Sequence, residues 1–205
     1  VPDAVEIYRK VLAKQPDHSV VVETEGFLTN LANLLKSGRD QYSPLSGREL
    51  IKRKVKLLVS MAGKFPSGKE YNLSTDSESS KIVFNNWPTP VVFDGFEIGV
   101  EIKTGLPLTK DDRIKNDPVK DVFSICIPKS PEDSLGRMSW DEVAALVAVK
   151  GYRPLFNLRS GKIIIHDDGS NGWDYKGHGQ YYLTPRASAK EVQEIINKLM
   201  MHQPN

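Results

Sequence analysis

The chain has 205 residues, 39% of them apolar and 26% charged, with a formal net charge of +2. That length suffices to bury the core of one ordinary domain, and so small a charge gives no reason to expect a nucleic-acid or membrane partner. The single Cys126 excludes an internal disulfide, and no stretch approaches the ~20 apolar residues of a membrane span. Cys126 has Val122 and Phe123 nearby at helical spacing, so it is expected to be a small buried hydrophobe. No charged, apolar, small-residue signal segment opens the chain. The expected protein is soluble and cytoplasmic by default, with a removed targeting segment left open.

Asp3 and Glu6 predict a capped helix that carries Val5, Tyr8, Val11 and Leu12 on one face up to Pro16. Val20 to Val22 reads as a buried strand. Phe27, Leu28, Leu31, Leu34 and Leu35 form the apolar face of a second helix stopped near Gly38. Ser46 and Glu49 cap a third, whose Lys52, Arg53, Lys54 and Lys56 read as a solvated face because no aromatic residues interleave with them. Pro90 to Asp94 is a further strand, and Phe96, Ile98, Val100 and Ile102 alternate as a half-exposed strand would. Gly105 to Asn116 reads as a loop, and Asp117-Pro118 as a helix start. Ser139 and Glu142 cap the Trp140 helix, which Gly151 closes. Tyr152 to Leu158 and Lys162 to His166 read as two strands turned at Arg159-Ser160-Gly161, and Asp167 to Gly179 as a loop. A last helix is capped by Ser188 and Glu191. The tail is expected to be a packing appendage.

The chain is organised around Lys56 to Ser79. Leu57 to Val59 is a short apolar run typical of a strand covered on both faces. The loop that follows starts with Met61, Ala62 and Gly63 and ends with Glu70, Tyr71 and Asn72: an anionic acceptor, a flat ring and a bifunctional amide. Thr75 and Glu78 then stand at capping-box spacing. A loop at the carboxyl end of a parallel strand is where open α/β sheets bind ligands. The expected fold class is α/β: a mostly parallel open sheet with helices on both faces, a small C-terminal hairpin and a final helix, all in one domain over residues 1–205.

Gly63 and Glu70-Tyr71-Asn72 resemble the segment of the nucleoside hydrolases in which a Glu-aromatic-Asn triplet holds the sugar. Glu25 to Leu35, EGFLTNLANLL, is similar to that family's Gly-Pro-Leu-Thr-Asn stretch, and Ser139 to Val149 resembles its late metal-binding helix. The resemblance implies hydrolysis of the N-glycosidic bond of a nucleoside or related riboside by calcium-bound water. It implies substrate contacts from Met61, Glu70, Tyr71, Asn72 and Trp140, with calcium held by Asp141 and the carbonyl of Thr29. The family's N-terminal Asp-rich signature, source of the catalytic base and most metal ligands, has no counterpart here. The first strands and the base are therefore expected in a segment supplied in cis or in trans, and the 205-residue chain alone is expected to be inactive. A homo-oligomer is left open.

Two departures bear on specificity. Trp140 stands where many members have a His, so it cannot act as an acid, and Ser67 and Lys69 stand where members often have an Asn. Read without the resemblance, Glu70 is equally a solvated loop charge and Asn72 a turn residue. Met61 is equally core, Trp140 a core filler or a stacking ring, and Asp141 a first-turn carboxylate favoured by the helix dipole. A sugar- or nucleoside-binding module without catalysis is the alternative from a different class. Asp111-Asp112 and Asp167-Asp168 lie in polar loops and are rejected as ligands.

Overall fold

The computed structural model describes residues 2–203. In chain order the elements are α1 (Ala4–Ala13), β1 (Val20–Thr24), α2 (Thr29–Lys36), α3 (Gly47–Lys54), β2 (Val55–Met61), α4 (Tyr71–Thr75) and α5 (Ser77–Asn86). There follow β3 (Val91–Asp94), α6 (Phe96–Gly99), β4 (Lys103–Thr104), α7 (Leu106–Lys110), α8 (Pro118–Cys126), β5 (Arg137–Met138) and α9 (Trp140–Lys150). The tail holds β6 (Phe156–Ile165), β7 (Asn171–Asp174), β8 (Gln180–Pro185) and α10 (Ala189–Met200).

The main sheet runs β1-β2-β3-β8-β6-β7. Its first four strands are parallel, while β6 pairs antiparallel with both β8 and β7. The two-residue period of a strand sends alternate side chains into two cores. Val22, Leu58, Phe93 and Tyr182 join Leu12, Leu34, Leu50 and Phe84 beneath α1, α2, α3 and α5. Val59, Met61, Val92 and Leu183 join Val143, Val147 and Ile196 beneath α9 and α10. Helices therefore cover both faces, as the apolar runs in β2 and β3 require.

Several expectations need correction. Phe96 to Ile102 is not a strand: Ile98 and Ile102 are both buried at a four-residue spacing, and α6 winds one helical turn after Gly95. The alternation there was coincidental. Leu106 to Lys110 is helical rather than loop, with Pro107 in the first turn where a missing N–H is harmless. The Thr75–Glu78 capping box does not form. Glu70 caps α4, Thr75 ends it, and Asp76 caps α5. Ser139 precedes α9 without capping it, its hydroxyl instead lying 2.6 Å from that of Thr104.

The tail differs most. β6 is continuous through Arg159-Ser160-Gly161, and the reversal comes after Ile165, leading into β7 inside the segment read as loop. Gly161 serves close approach rather than a turn, since a Cβ there would lie 2.2 Å from Trp173 Nε1. β8, not foreseen, sits beside β3 within the sheet. The tail is thus half of the sheet, not an appendage. Cys126 is exposed, because α8 buries none of its residues.

Candidate functional site

β1, β2 and β3 end side by side, with Thr24 paired to Ser60 and Met61 to Asp94. Past that carboxyl edge opens a cleft of about 280 Å³, lined by Glu25, Met61, Lys69, Glu70, Tyr71, Asn72, Phe96, Trp140 and Asp141. All the residues expected to contact substrate therefore meet in one place, together with Asp141. Thr29 does not line it. That residue opens α2 and donates its hydroxyl to Asp76.

The loop between Met61 and Tyr71 makes one wall. Glu70 is 5% exposed. Its Oε1 accepts the N–H of Asn72 at 2.7 Å, and its Oε2 accepts those of Gly63 and Leu73, each at 3.0 Å. The carboxylate thus caps α4 and closes the loop on itself, with one acceptor direction on Oε1 left over. Asn72 Nδ2 donates to the carbonyls of Glu25 (3.1 Å) and Met61 (3.2 Å), bridging the ends of β1 and β2. Because two carbonyls take Nδ2, Oδ1 is left as the acceptor available to a ligand. Tyr71 is 71% exposed and leans on the exposed Phe27, ring centroids 5.9 Å apart. On the opposite wall Trp140 donates its indole N–H to the carbonyl of Phe96 at 2.8 Å, and the two rings lie 5.4 Å apart. Trp140 offers a face but no donor.

Beneath the cleft is a set of carboxyl groups. Glu23, near the end of β1, shares the side on which Val21 meets the α9 core, and Met61 points to the same side; Glu25 follows just past the strand and lines the cleft. Asp94, the register partner of Met61, ends β3, while Asp141 and Glu142 occupy the first turn of α9. Asp94 is fully buried, and neither of its oxygens has a hydrogen-bond partner among the described residues. Burial, then the charges of Glu97, Asp141 and Glu23, raise its pKa well above the ordinary carboxylate value. Glu23 is pushed up to about 8 by burial, by its hydrogen bond to Glu25 and by the charges of Glu25 and Asp141. Burial also raises Asp141, helped by Glu25 and opposed by Arg137.

These carboxyls do not add up to a calcium site. Among the described residues no three Asp, Glu, His or Cys side chains are grouped so as to hold a metal ion. Asp94 and Glu23 face like charges, and each has a buried oxygen without a hydrogen-bond partner among the described residues. A hard cation asks for about six to eight oxygens. Asp111 and Asp167, paired to Arg113 and Lys81, are absent from the cleft lining.

Comparison with solved structures gives the fold a counterpart. The inosine-uridine preferring nucleoside hydrolase of Bacillus anthracis aligns with 97% of the chain at TM-score 0.67 and 16% identity. The plant nucleoside hydrolase PpNRh1 aligns with 98% at 0.75 and 14%, and an inosine-guanosine nucleoside hydrolase with 97% at 0.69 and 20%. The chain has a nucleoside hydrolase-like fold. It spans 65%, 67% and 66% of those three proteins. By sequence it matches no family model and no curated protein.

Within this nucleoside hydrolase-like fold, the sequence reading missed Glu23, Glu25, Asp94 and Phe96 as parts of the cleft or of its floor. A signal was present for three of them. Glu23 and Glu25 close the Val20–Val22 run and Asp94 closes Val91–Phe93, and a carboxylate at the carboxyl end of a buried parallel strand faces the ligand edge.

Proposed function

We propose that the cleft binds a riboside and that this chain is part of an enzyme acting on its N-glycosidic bond. The observation that carries the reading is the coincidence of a nucleoside hydrolase-like fold with a cleft at the carboxyl edge of β1 and β2, lined by Asn72 together with the rings of Tyr71, Phe96 and Trp140. In this proposal Asn72 accepts a sugar hydroxyl and Met61 packs against the ribose. Glu70 takes a second hydroxyl on its remaining acceptor direction, and Tyr71 or Trp140 covers the planar aglycone. Hydrolysis breaks the bond between the anomeric carbon and the base nitrogen through an oxocarbenium-like state. The Glu70 carboxylate in the cleft lining favours the positive charge that develops there.

Nothing among the residues described here activates the water, and no step is derived through calcium. The proposed source of the activating carboxylate is a segment in cis or in trans, which would bring Asp141 its partner ligands. A second reading, a binding module without catalysis, is favoured by the engagement of Glu70 with three backbone N–H groups. Calorimetry with a panel of nucleosides, paired with an assay for released base, separates the two. The first reading expects binding by this chain and turnover once the segment is added. Binding without turnover under any complementation supports the module. Rapid turnover by the 205-residue chain alone would show that the base lies among its own carboxyls.

A further inference from the structure

The wall between Met61 and Tyr71 has little regular structure of its own, and its shape is imposed from outside. Glu97, in α6, accepts the N–H of Phe65 at 2.9 Å. Asn171, at the start of β7, does more. Its Oδ1 accepts the N–H of Lys64 at 2.9 Å, and its Nδ2 donates to the carbonyl of the same residue, also at 2.9 Å. Its backbone then exchanges two bonds with Gly68, N–H of Gly68 to the Asn171 carbonyl at 3.0 Å and the reverse at 2.7 Å. Asn171 is 2% exposed. Gly63 passes so close that a Cβ there would lie 3.3 Å from Asn171 Oδ1. One residue, 107 positions away, clasps both limbs of the loop that carries Glu70 into the cleft.

We propose that Asn171 is a positioning residue of the cleft, setting the loop so that Glu70, Tyr71 and Asn72 face the ligand. The chemistry of the clasp demands an amide. A donor and an acceptor at the end of a two-carbon reach are needed on a single residue, and Asn alone supplies both without charge. Aspartate at this position keeps both bonds only while protonated. Once ionised it turns a second oxygen on the Lys64 carbonyl, and burial holds its pKa up. The inference rests on the reading of the cleft as a ligand site, so its test has one readout that needs no ligand.

Asn171→Asp is compared with the unaltered chain and with Asn171→Leu at about pH 5 and about pH 8. Hydrogen exchange at the Lys64 and Gly68 amides, expressed as protection factors, reports the clasp. Nucleoside affinity by calorimetry reports the cleft. For Asn171→Asp near pH 8 the expectation is lost protection at Lys64 and affinity weaker by about tenfold, both recovering at the lower pH. Asn171→Leu is expected to lose both at either pH. Unchanged protection and affinity in Asn171→Asp at both values would overturn the proposal. So would a loss that tracks a fall in melting temperature and shows no recovery with protonation. Failure of the unaltered chain to bind any nucleoside would remove the riboside reading, while Lys64 protection would still decide whether the clasp exists.

Discussion

Glu70 is held by its own backbone. Two of its three N–H partners, Asn72 and Leu73, open α4, and the third, Gly63, starts the loop at the other end. Hydrogen bonds to a charged group stabilise by about 1.5–3 kcal/mol each, and leaving buried N–H groups unpaired costs about as much. Glu70→Ala is expected to lower stability by about 3 kcal/mol in a denaturant titration and Glu70→Gln by less, since the amide keeps one acceptor. A Glu70→Ala variant as stable as the parent would mean that the loop is fixed without it. The residue types Glu, Tyr and Asn were legible as a ligand-facing triplet. That the Glu carboxylate is mostly occupied by peptide groups was not, because sequence spacing does not say which way an N–H points. Glu23 and Asp94 carried a signal that is easily passed over for a related reason: a carboxylate after a valine run looks like the start of a turn until the sheet brings neighbouring strand ends together.

Those two carboxyls also make stability depend on pH. A group whose pKa is raised on folding keeps its proton in the folded chain after the unfolded chain has lost it. Its contribution is present at low pH and is lost as pH rises through the interval between the two values. For Glu23 that interval runs from 4.5 to about 8, and for Asp94 it begins at 3.8 and extends well above. Glu23→Gln and Asp94→Asn are each expected to raise the melting temperature at pH 8, by about 3 °C or more, and to change it little near pH 4. A lower melting temperature at pH 8 would show that the ionised groups are compensated by an interaction absent from the structure.

At the level of elements, the parallel half of the sheet was readable and the antiparallel half was not. β1, β2 and β3 announce themselves as β-branched or leucine runs between capped helices, since both of their faces are covered. β6 carries polar residues at Asn157, Arg159 and Ser160 and a glycine at 161, which together mimic a turn. The structure explains the glycine by the crossing of Trp173. That ring packs edge-on against Phe65 at 5.3 Å and against Tyr182 at 5.0 Å, while Phe65 stacks on Tyr182 at 4.9 Å. The cluster joins the cleft loop to β7 and β8, so the tail shapes the site from behind. Gly161→Ala would press a methyl group on both Trp173 and the Asp174 carbonyl. Its expected cost is about 1–3 kcal/mol in thermal or denaturant unfolding. No change on this substitution would mean that β6 and β7 separate easily there.

For the whole molecule, fold and chemistry are legible to different degrees. The nucleoside hydrolase-like architecture was anticipated from three short stretches and is met by structures sharing 14–20% identity with the chain. The same stretches pointed to the Thr29 carbonyl and to Asp141, whereas Glu25, which they left unassigned, lines the cleft beside Asp141. The proposed hold of Asn72 and Tyr71 on a riboside at the carboxyl edge of the sheet is checked by isothermal titration of nucleosides, free ribose and free bases into this chain. His178→Ala, in a separate polar recess lined by Lys162 and Gln180, serves as control. Saturable nucleoside binding is expected, weakening about tenfold or more in Asn72→Ala and Tyr71→Ala, each group being worth about one hydrogen bond or one ring contact. His178→Ala should bind as the parent does. Nucleoside binding undiminished in both cleft variants, or no binding by the parent chain, would contradict the proposed hold.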